Sequence, residues 1–136
     1  MTIDGCCDHT KFIPDEETFA YVMQLTRDAG TFLYGRKTYQ LMVPYWPDVA
    51  KNPAGDRKAH VEFAQAFDAV DNIVVFSQSL DSPEGEKTRI VRTGLQNEVF
   101  KLKQEQGKNI LTGGVTIPAQ LAKLGLIDEY HFLIHP

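Results

Sequence analysis

Cysteine is scarce in this chain: there are two among 136 residues, and they are neighbours, Cys6 and Cys7. Adjacent cysteines do not reach ordinary disulfide geometry. A disulfide framework is therefore excluded, and a reducing, cytoplasmic setting is the expectation. Excess positive charge is also lacking. The formal net charge is −4, which gives no general attraction for nucleic acid or an anionic membrane. Any phosphate the protein holds must be held by local groups. No apolar run approaches the ~20 residues of a membrane span. Residues Met1 to Gly5 are neither basic nor long and apolar, so no secretory signal is read there. Repeats, low-complexity tracts and linkers are missing as well, and the length suits one domain with one core. No G-x-G-x-x-G is present, which disfavours a Rossmann dinucleotide site. Gly85-Glu86-Lys87-Thr88 lacks the upstream glycine of a P-loop.

Alternation of strand and helix is what the chain does have. Asp15-Glu16-Glu17 opens a first helix, acids in a first turn suiting its positive end. Phe19, Val22, Met23 and Thr26 recur at helical spacing, with Gly30 as the expected stop. Thr31 to Tyr34 reads as a strand, Lys37 to Met42 as a helix ended before Pro44, and Tyr45 to Gly55 as a loop. Val61, Ala64 and Phe67 mark an amphipathic helix. Asn72 to Phe76 carries the apolar run of a buried strand. Arg89 to Arg92 reads as a short strand, and Leu95, Val99 and Leu102 as a helix stopped by Gly107. Asn109 to Thr112 is a strand ended by Gly113-Gly114. Ile117, Leu121 and Leu124 mark a helix with Pro118 in its first turn and Gly125 as its stop. Tyr130 to Ile134 reads as a last strand. The expected fold class is α/β, a single three-layer domain with a largely parallel central sheet and helices on both faces.

In such sheets ligands sit beyond the carboxyl ends of the strands. Three ends carry unusual chemistry: Gly35-Arg36-Lys37-Thr38, Ser77-Gln78 and Thr112-Gly113-Gly114. Gly35 removes a Cβ from the path of a ligand. The residues after it expose helix-start amides that attract anions. Thr38 adds a hydroxyl, and Arg36 adds a planar fork for phosphate. Gly113-Gly114 repeats the device before Ile117. Each piece alone is compatible with a plain turn or a solvated surface; together they describe a site for a ligand with separated phosphates. A metal site is not expected. Residues of an extended loop such as Cys6-Cys7-Asp8-His9 point apart, and His131 and His135 on a strand would stand ~13 Å apart.

An ordered set of short motifs resembles the dihydrofolate-reductase-like superfamily: Thr2-Ile3-Asp4-Gly5, Leu33-Tyr34-Gly35-Arg36-Lys37-Thr38-Tyr39, Tyr45-Trp46-Pro47, Val75-Phe76-Ser77, Thr112-Gly113-Gly114 and Gly125-Leu126-Ile127-Asp128-Glu129-Tyr130. The likeness is greatest to the branch related to the reductase domain of riboflavin biosynthesis, the RibD C-terminal type. It covers most of the chain. The resemblance implies an NADPH-dependent reductase and a homodimer. It implies that Gly35, Arg36 and Thr38 hold the phosphates and adenosine end, and that Ser77 lies by the 2′-phosphate or adenine. Gly113 and Gly114 would face the pyrophosphate, and the loop Ile3 to Gly5 would lie beside the nicotinamide. With their neighbours Lys37, Gln78, Thr112 and Val115 these form the expected cofactor set. The family pattern also has a strand before Thr2 and further strands after Pro136, and neither lies within residues 1–136. Dihydrofolate reductases proper carry a carboxylate on the first helix. That register falls near Phe19, with Glu16 and Glu17 close to it but not clearly on that face, so folate reduction is not favoured.

Asp4, next to Gly5 in the expected nicotinamide loop, is the first candidate for a proton-delivering catalytic residue, with a turn-capping role as the alternative. His9 is the second candidate near the substrate, its alternative being a solvated loop histidine. Tyr45 and Trp46 are candidates for walls of the substrate pocket, or else core anchors. The function expected is hydride transfer from NADPH to a small heterocyclic, carbonyl or imine substrate. A pterin or ribosylpyrimidine reductase is the narrower alternative. A nucleotide-binding protein without catalysis is the alternative of another class.

Overall fold

The strand from Ala29 to Gly35, β1, is buried at six of its seven positions. A strand apolar on both sides belongs in the middle of a sheet covered on both faces, and β1 has that place. The computed structural model describes residues 1–8, 10, 14–83, 85 and 87–135. In it β1 pairs on one side with β2 (Asn72–Phe76), Phe32 against Ile73 and Gly35 against Phe76. On the other side it pairs with β4 (Asn109–Thr112), Leu33 against Thr112. The strand β3 (Thr88–Val91) extends the sheet beyond β2. The order is β3-β2-β1-β4, and every pair in this four-stranded sheet is parallel.

Side-chain alternation along each strand feeds two cores. Phe32 and Tyr34 of β1 and Ile73 and Val75 of β2 point to one face. They meet Phe19, Val22 and Met23 of α1 (Glu16–Arg27), Tyr39 of α2 (Arg36–Met42) and Phe63 and Phe67 of α4 (Lys58–Asp68). Leu33 and Val74 point to the other face. They meet Leu95, Val99 and Leu102 of α5 (Leu95–Gln104) and Ile117 and Leu121 of α6 (Thr116–Lys123). Phe32 and Phe67 are each 1% exposed with ring centroids 4.9 Å apart. Burying a side chain of that size contributes about 1.5–3 kcal/mol. The architecture is the three-layer α/β one expected from the alternating pattern.

Local signals explain most boundaries. Asp15 caps α1, its carboxylate accepting from the Thr18 amide at 2.8 Å. Gly125, at φ +68°, ends α6, and the amides of Gly125 and Leu126 return to the carbonyls of Ala122 and Leu121. Such a left-handed terminus strongly favours glycine.

Three expectations need correction. The segment after Pro44 is not a loop from its start: Tyr45–Lys51 forms a helix, α3. Pro47 stands in its first turn, where an amide hydrogen is not needed. Trp46 packs on Phe63 at 4.5 Å, which secures the helix against α4. Gly30 does not stop α1; the helix ends at Arg27 and Gly30 is already in β1. There the missing Cβ leaves room for Lys108, whose Cβ would stand 3.2 Å away. Finally, Tyr130 to Ile134 is not a strand. A strand requires a ladder, and a cleft of about 630 Å³ lies along the outer edge of β4, bordered by Ile127, His131 and Leu133. The segment is held instead by one parallel bridge, Thr2 with His135. The bonds are Met1 N to Leu133 O at 2.8 Å and His135 N to Met1 O at 3.0 Å. A 2.5 Å contact between the Tyr21 hydroxyl and His131 Nδ1 ties it to α1. Among the described residues no helix is long and apolar enough to cross a membrane.

Candidate functional site

Because all four strands run the same way, their carboxyl ends share one edge of the sheet. Gly35 lies opposite Phe76, so Ser77 follows next to it. Thr112 lies opposite Leu33 and its hydroxyl donates to the Leu33 carbonyl at 2.8 Å. Two close contacts bring the first and third motifs together. A Cβ on Gly114 would stand 2.5 Å from Thr38 Oγ1, and a Cβ on Gly35 would stand 3.2 Å from Ile117 Cγ1. The starts of α2 and α6 are thus side by side, and Gly113 directly precedes the Gly114 that touches Thr38. Around Gly113 a Cβ would meet nothing within 4 Å.

These glycines do different work from one another. Gly35 has φ −81° and ψ 172°, open to any residue, so its small size serves the packing of Ile117 rather than the approach of a ligand. Gly114, at φ +91°, needs glycine for its backbone and for Thr38. Gly113 alone leaves open space. Neither α2 nor α6 has a side chain capping its first amides, Gly35 and Val115 being their N-caps. Among the described residues the first-turn N–H groups thus receive no acceptor from an N-cap side chain, a condition that favours attracting an anion. Arg36 and Lys37 are exposed beside them, and Thr38 is half-buried.

At the end of β2, Ser77 is 7% exposed and its hydroxyl oxygen accepts from the amides of Ser79 and Leu80, both at 3.2 Å. That makes a firm turn, with Gln78 exposed at its outer side. Arg92, directly after β3, donates to the carbonyls of Gln78 at 3.2 Å and Asp81 at 3.4 Å. This fourth strand end was not among the three picked out by their motifs. An arginine following a short strand has no local signal; only the strand order puts it next to Ser77.

The candidates near the substrate fare unequally. Ile3 is 87% exposed, and the loop's hydrogen bonds stay within residues 2–7 apart from its bridge to His135. Asp4 is exposed, and the Thr2 hydroxyl donates to its carboxylate. That bond, followed by backbone N–H donors, holds Asp4 below the usual carboxylate range. Asp4 is therefore an anion at neutral pH, whereas a proton donor needs the opposite shift. Its environment suits the turn-holding alternative. His9 lies outside the described residues. Trp46 is half-buried against His60 and Phe63, a core anchor, while Tyr45 stacks edge-on against it at 4.9 Å and is half exposed. On α1, Phe19 packs on His60, with ring centroids 4.9 Å apart.

The cleft along β4 reaches this edge of the sheet. One end is lined by Thr38, Gly113 and Gly114, the other by Lys108 and Asn109. Its volume is that of a small-molecule site. Its walls at Leu102, Leu126 and Leu133 come from separate elements, so periodicity marks them only as core residues.

Comparison with known proteins agrees with this geometry. The profile of the RibD C-terminal domain matches residues 1–136. The uncharacterized protein YyaP of Bacillus subtilis (strain 168) is 31% identical over 118 residues, a match covering 78% of this chain and 53% of that protein. The chain thus spans about half the length of this curated relative. With a parallel α/β sheet and a profile match along its whole length, the chain belongs to the RibD C-terminal domain family, whose members are reductase-type domains of dihydrofolate-reductase-like fold.

Proposed function

We propose that this protein is a cytoplasmic, homodimeric reductase that uses NADPH to reduce a small heterocyclic, carbonyl or imine substrate. The observation that carries the reading is the contact of Thr38 with Gly114, which sets the amide-rich starts of α2 and α6 beside the open space at Gly113. A diphosphate laid there has N–H donors from two helix starts and the charges of Arg36 and Lys37 within the same edge of the sheet. The donor set is the one an anionic dinucleotide requires, and no Cβ stands in its way at Gly113. NADPH, when bound, supplies the hydride.

The chain's own groups bind, orient and exclude water. The apolar walls of the cleft by β4 shield a flat substrate ring, and Thr38 and Gly113 mark the end where it meets the cofactor.

Titration with NADPH, followed by nicotinamide absorbance over a panel of carbonyl, imine, pterin and ribosylpyrimidine compounds, tests the reading. Saturable binding with oxidation of NADPH is the expected result. Turnover confined to pterins or ribosylpyrimidines selects the narrower activity. Saturable binding without turnover moves the protein to the non-catalytic nucleotide binders, and absence of binding overturns the reading. Sedimentation velocity tests the homodimer.

A further inference from the structure

We infer that His60, oriented by Asp56, is the catalytic acid of the reduction, an inference that rests on the NADPH reading. Asp56 stands one turn before His60, and its carboxylate Oδ1 lies 3.4 Å from His60 Nδ1. Among the described residues it is the one carboxylate within 4 Å of that ring. Two aromatic rings from other helices hold the imidazole in place. The centroid of Phe19 on α1 is 4.9 Å away, and that of Trp46 on α3 is 5.9 Å away. The side chains of His60 and Asp56 remain 25% and 31% exposed, so the pair is neither sealed in the core nor loose in solvent. A carboxylate beside Nδ1 favours an N–H directed at it. That leaves Nε2 as the nitrogen whose proton can be transferred.

Topology carries this pair to the edge of the sheet where the chemistry is assigned. The Asp71 amide donates to the Gly30 carbonyl at 3.1 Å, so the end of α4 lies at the amino end of β1. From Asp68 back to His60 the helix spans ~12 Å, at about 1.5 Å per residue. That is close to the ~16 Å length of β2, which follows α4 in the opposite direction. His60 is thereby raised towards the carboxyl ends of the strands. Phe63, one turn after His60, borders the same cleft as Thr38 and Gly113. Phe63 also meets both rings that hold His60, with centroids 6.2 Å from Phe19 and 4.5 Å from Trp46. His60 therefore stands ~4.5 Å along the helix from the wall of the substrate cleft.

The chemistry asks for a proton source, and the anionic Asp4 is not one. As hydride arrives at the carbonyl or imine carbon, the π pair of the C=O or C=N bond moves onto the heteroatom. His60 Nε2–H gives that atom its proton. The alcohol or amine, the oxidised cofactor and a neutral imidazole remain, and solvent returns the proton to Nε2. A positioned donor of this kind contributes about 10²–10⁴-fold in rate.

The test uses the carbonyl and imine compounds that the wild type reduces, with NADPH binding followed separately by fluorescence. His60→Gln and His60→Ala are expected to lower kcat about 100-fold or more. The NADPH dissociation constant should change by less than about two-fold, because His60 acts on the substrate. Imidazole added to His60→Ala should restore part of kcat in a saturable way, which a loss of packing alone does not allow. Asp56 is a positioning residue, and Asp56→Asn should lose about ten-fold in kcat with no rescue by imidazole. Turnover of His60→Gln within about two-fold of wild type overturns the inference and leaves NADPH use intact. So does a higher KM with kcat kept, which would make His60 a wall of the pocket only, and so does a failure of imidazole to restore His60→Ala. A wild type that binds NADPH but reduces none of the compounds overturns the inference together with the catalytic half of the reading beneath it. A wild type that does not bind NADPH overturns both entirely. If His60→Ala unfolds, the kcat of His60→Gln and Asp56→Asn decides the matter.

Discussion

Thr38 and Gly114 compete for one space: a Cβ on Gly114 would stand 2.5 Å from the Thr38 hydroxyl oxygen. The two residues come from different strand ends, and their contact is what joins the halves of the candidate cofactor site. Gly114→Ala would suffer twice, from left-handed backbone at φ +91° and from the clash. The expected cost is about 1–3 kcal/mol in urea unfolding. Adding Thr38→Ala removes the clash but not the backbone strain. The double variant should therefore be more stable than the sum of the single losses, by about 0.5 kcal/mol or more. Strict additivity would mean that the two ends do not touch.

Gly113 makes the opposite prediction. Its backbone is not in the left-handed region and its surroundings are open. Gly113→Val should leave the unfolding midpoint nearly unchanged, a shift of about 0.5 kcal/mol or less. The added side chain fills the space assigned to the pyrophosphate, so NADPH should bind at least about ten-fold more weakly. An unchanged dissociation constant would take the end of β4 out of the site.

Acid sensitivity of the first loop follows from Asp4. Its folded-state pKa is lowered from 3.8, chiefly by the Thr2 hydroxyl. A carboxyl depressed on folding contributes stability above its unfolded value, and that contribution fades as pH falls through the folded value. The contribution is thus complete at neutral pH and disappears only below pH 3.8. Thr2→Val should bring the Asp4 midpoint back up towards 3.8, read by carboxyl-carbon NMR titration. A midpoint that stays low would assign the shift to the backbone donors instead.

At the start of α1, Asp15→Ala should cost about 1 kcal/mol, the usual value of a side-chain N-cap. Asp15→Asn retains an acceptor for the Thr18 amide and should recover most of the loss. Urea unfolding of the two variants measures this. Asp15 is also held below the usual carboxylate range by the Thr18 N–H, so its advantage over Asn should vanish on acidification.

Much of the fold was legible because it rests on periodicity. The apolar run at Asn72–Phe76, the run at Asn109–Thr112 and the Asp15 and Gly125 end signals each produce their element wherever they stand. Pro44 and Pro47 misled for a physical reason. Proline breaks a helix interior but is tolerated in a first turn. What stabilises α3 is the contact of Trp46 with Phe63, a residue of another helix. Tyr130 to Ile134 misled in the reverse direction. Its β-rich composition favours an extended chain, but composition supplies no neighbour with which to form a ladder.

The site divides along the same line. Which residues offer amides, hydroxyls and cations was set by residue type, and Gly113, Thr38, Ser77 and Arg36 are recognisable from it alone. Which of them meet was decided by strand order, since β3-β2-β1-β4 is not the order of the chain. That order set Arg92 beside Ser77 and Gly114 against Thr38, and it assigned Gly35 to Ile117. Local chemistry travels with the residue; proximity across a parallel sheet depends on crossovers that bury both faces of β1, and only the assembled core chooses among them.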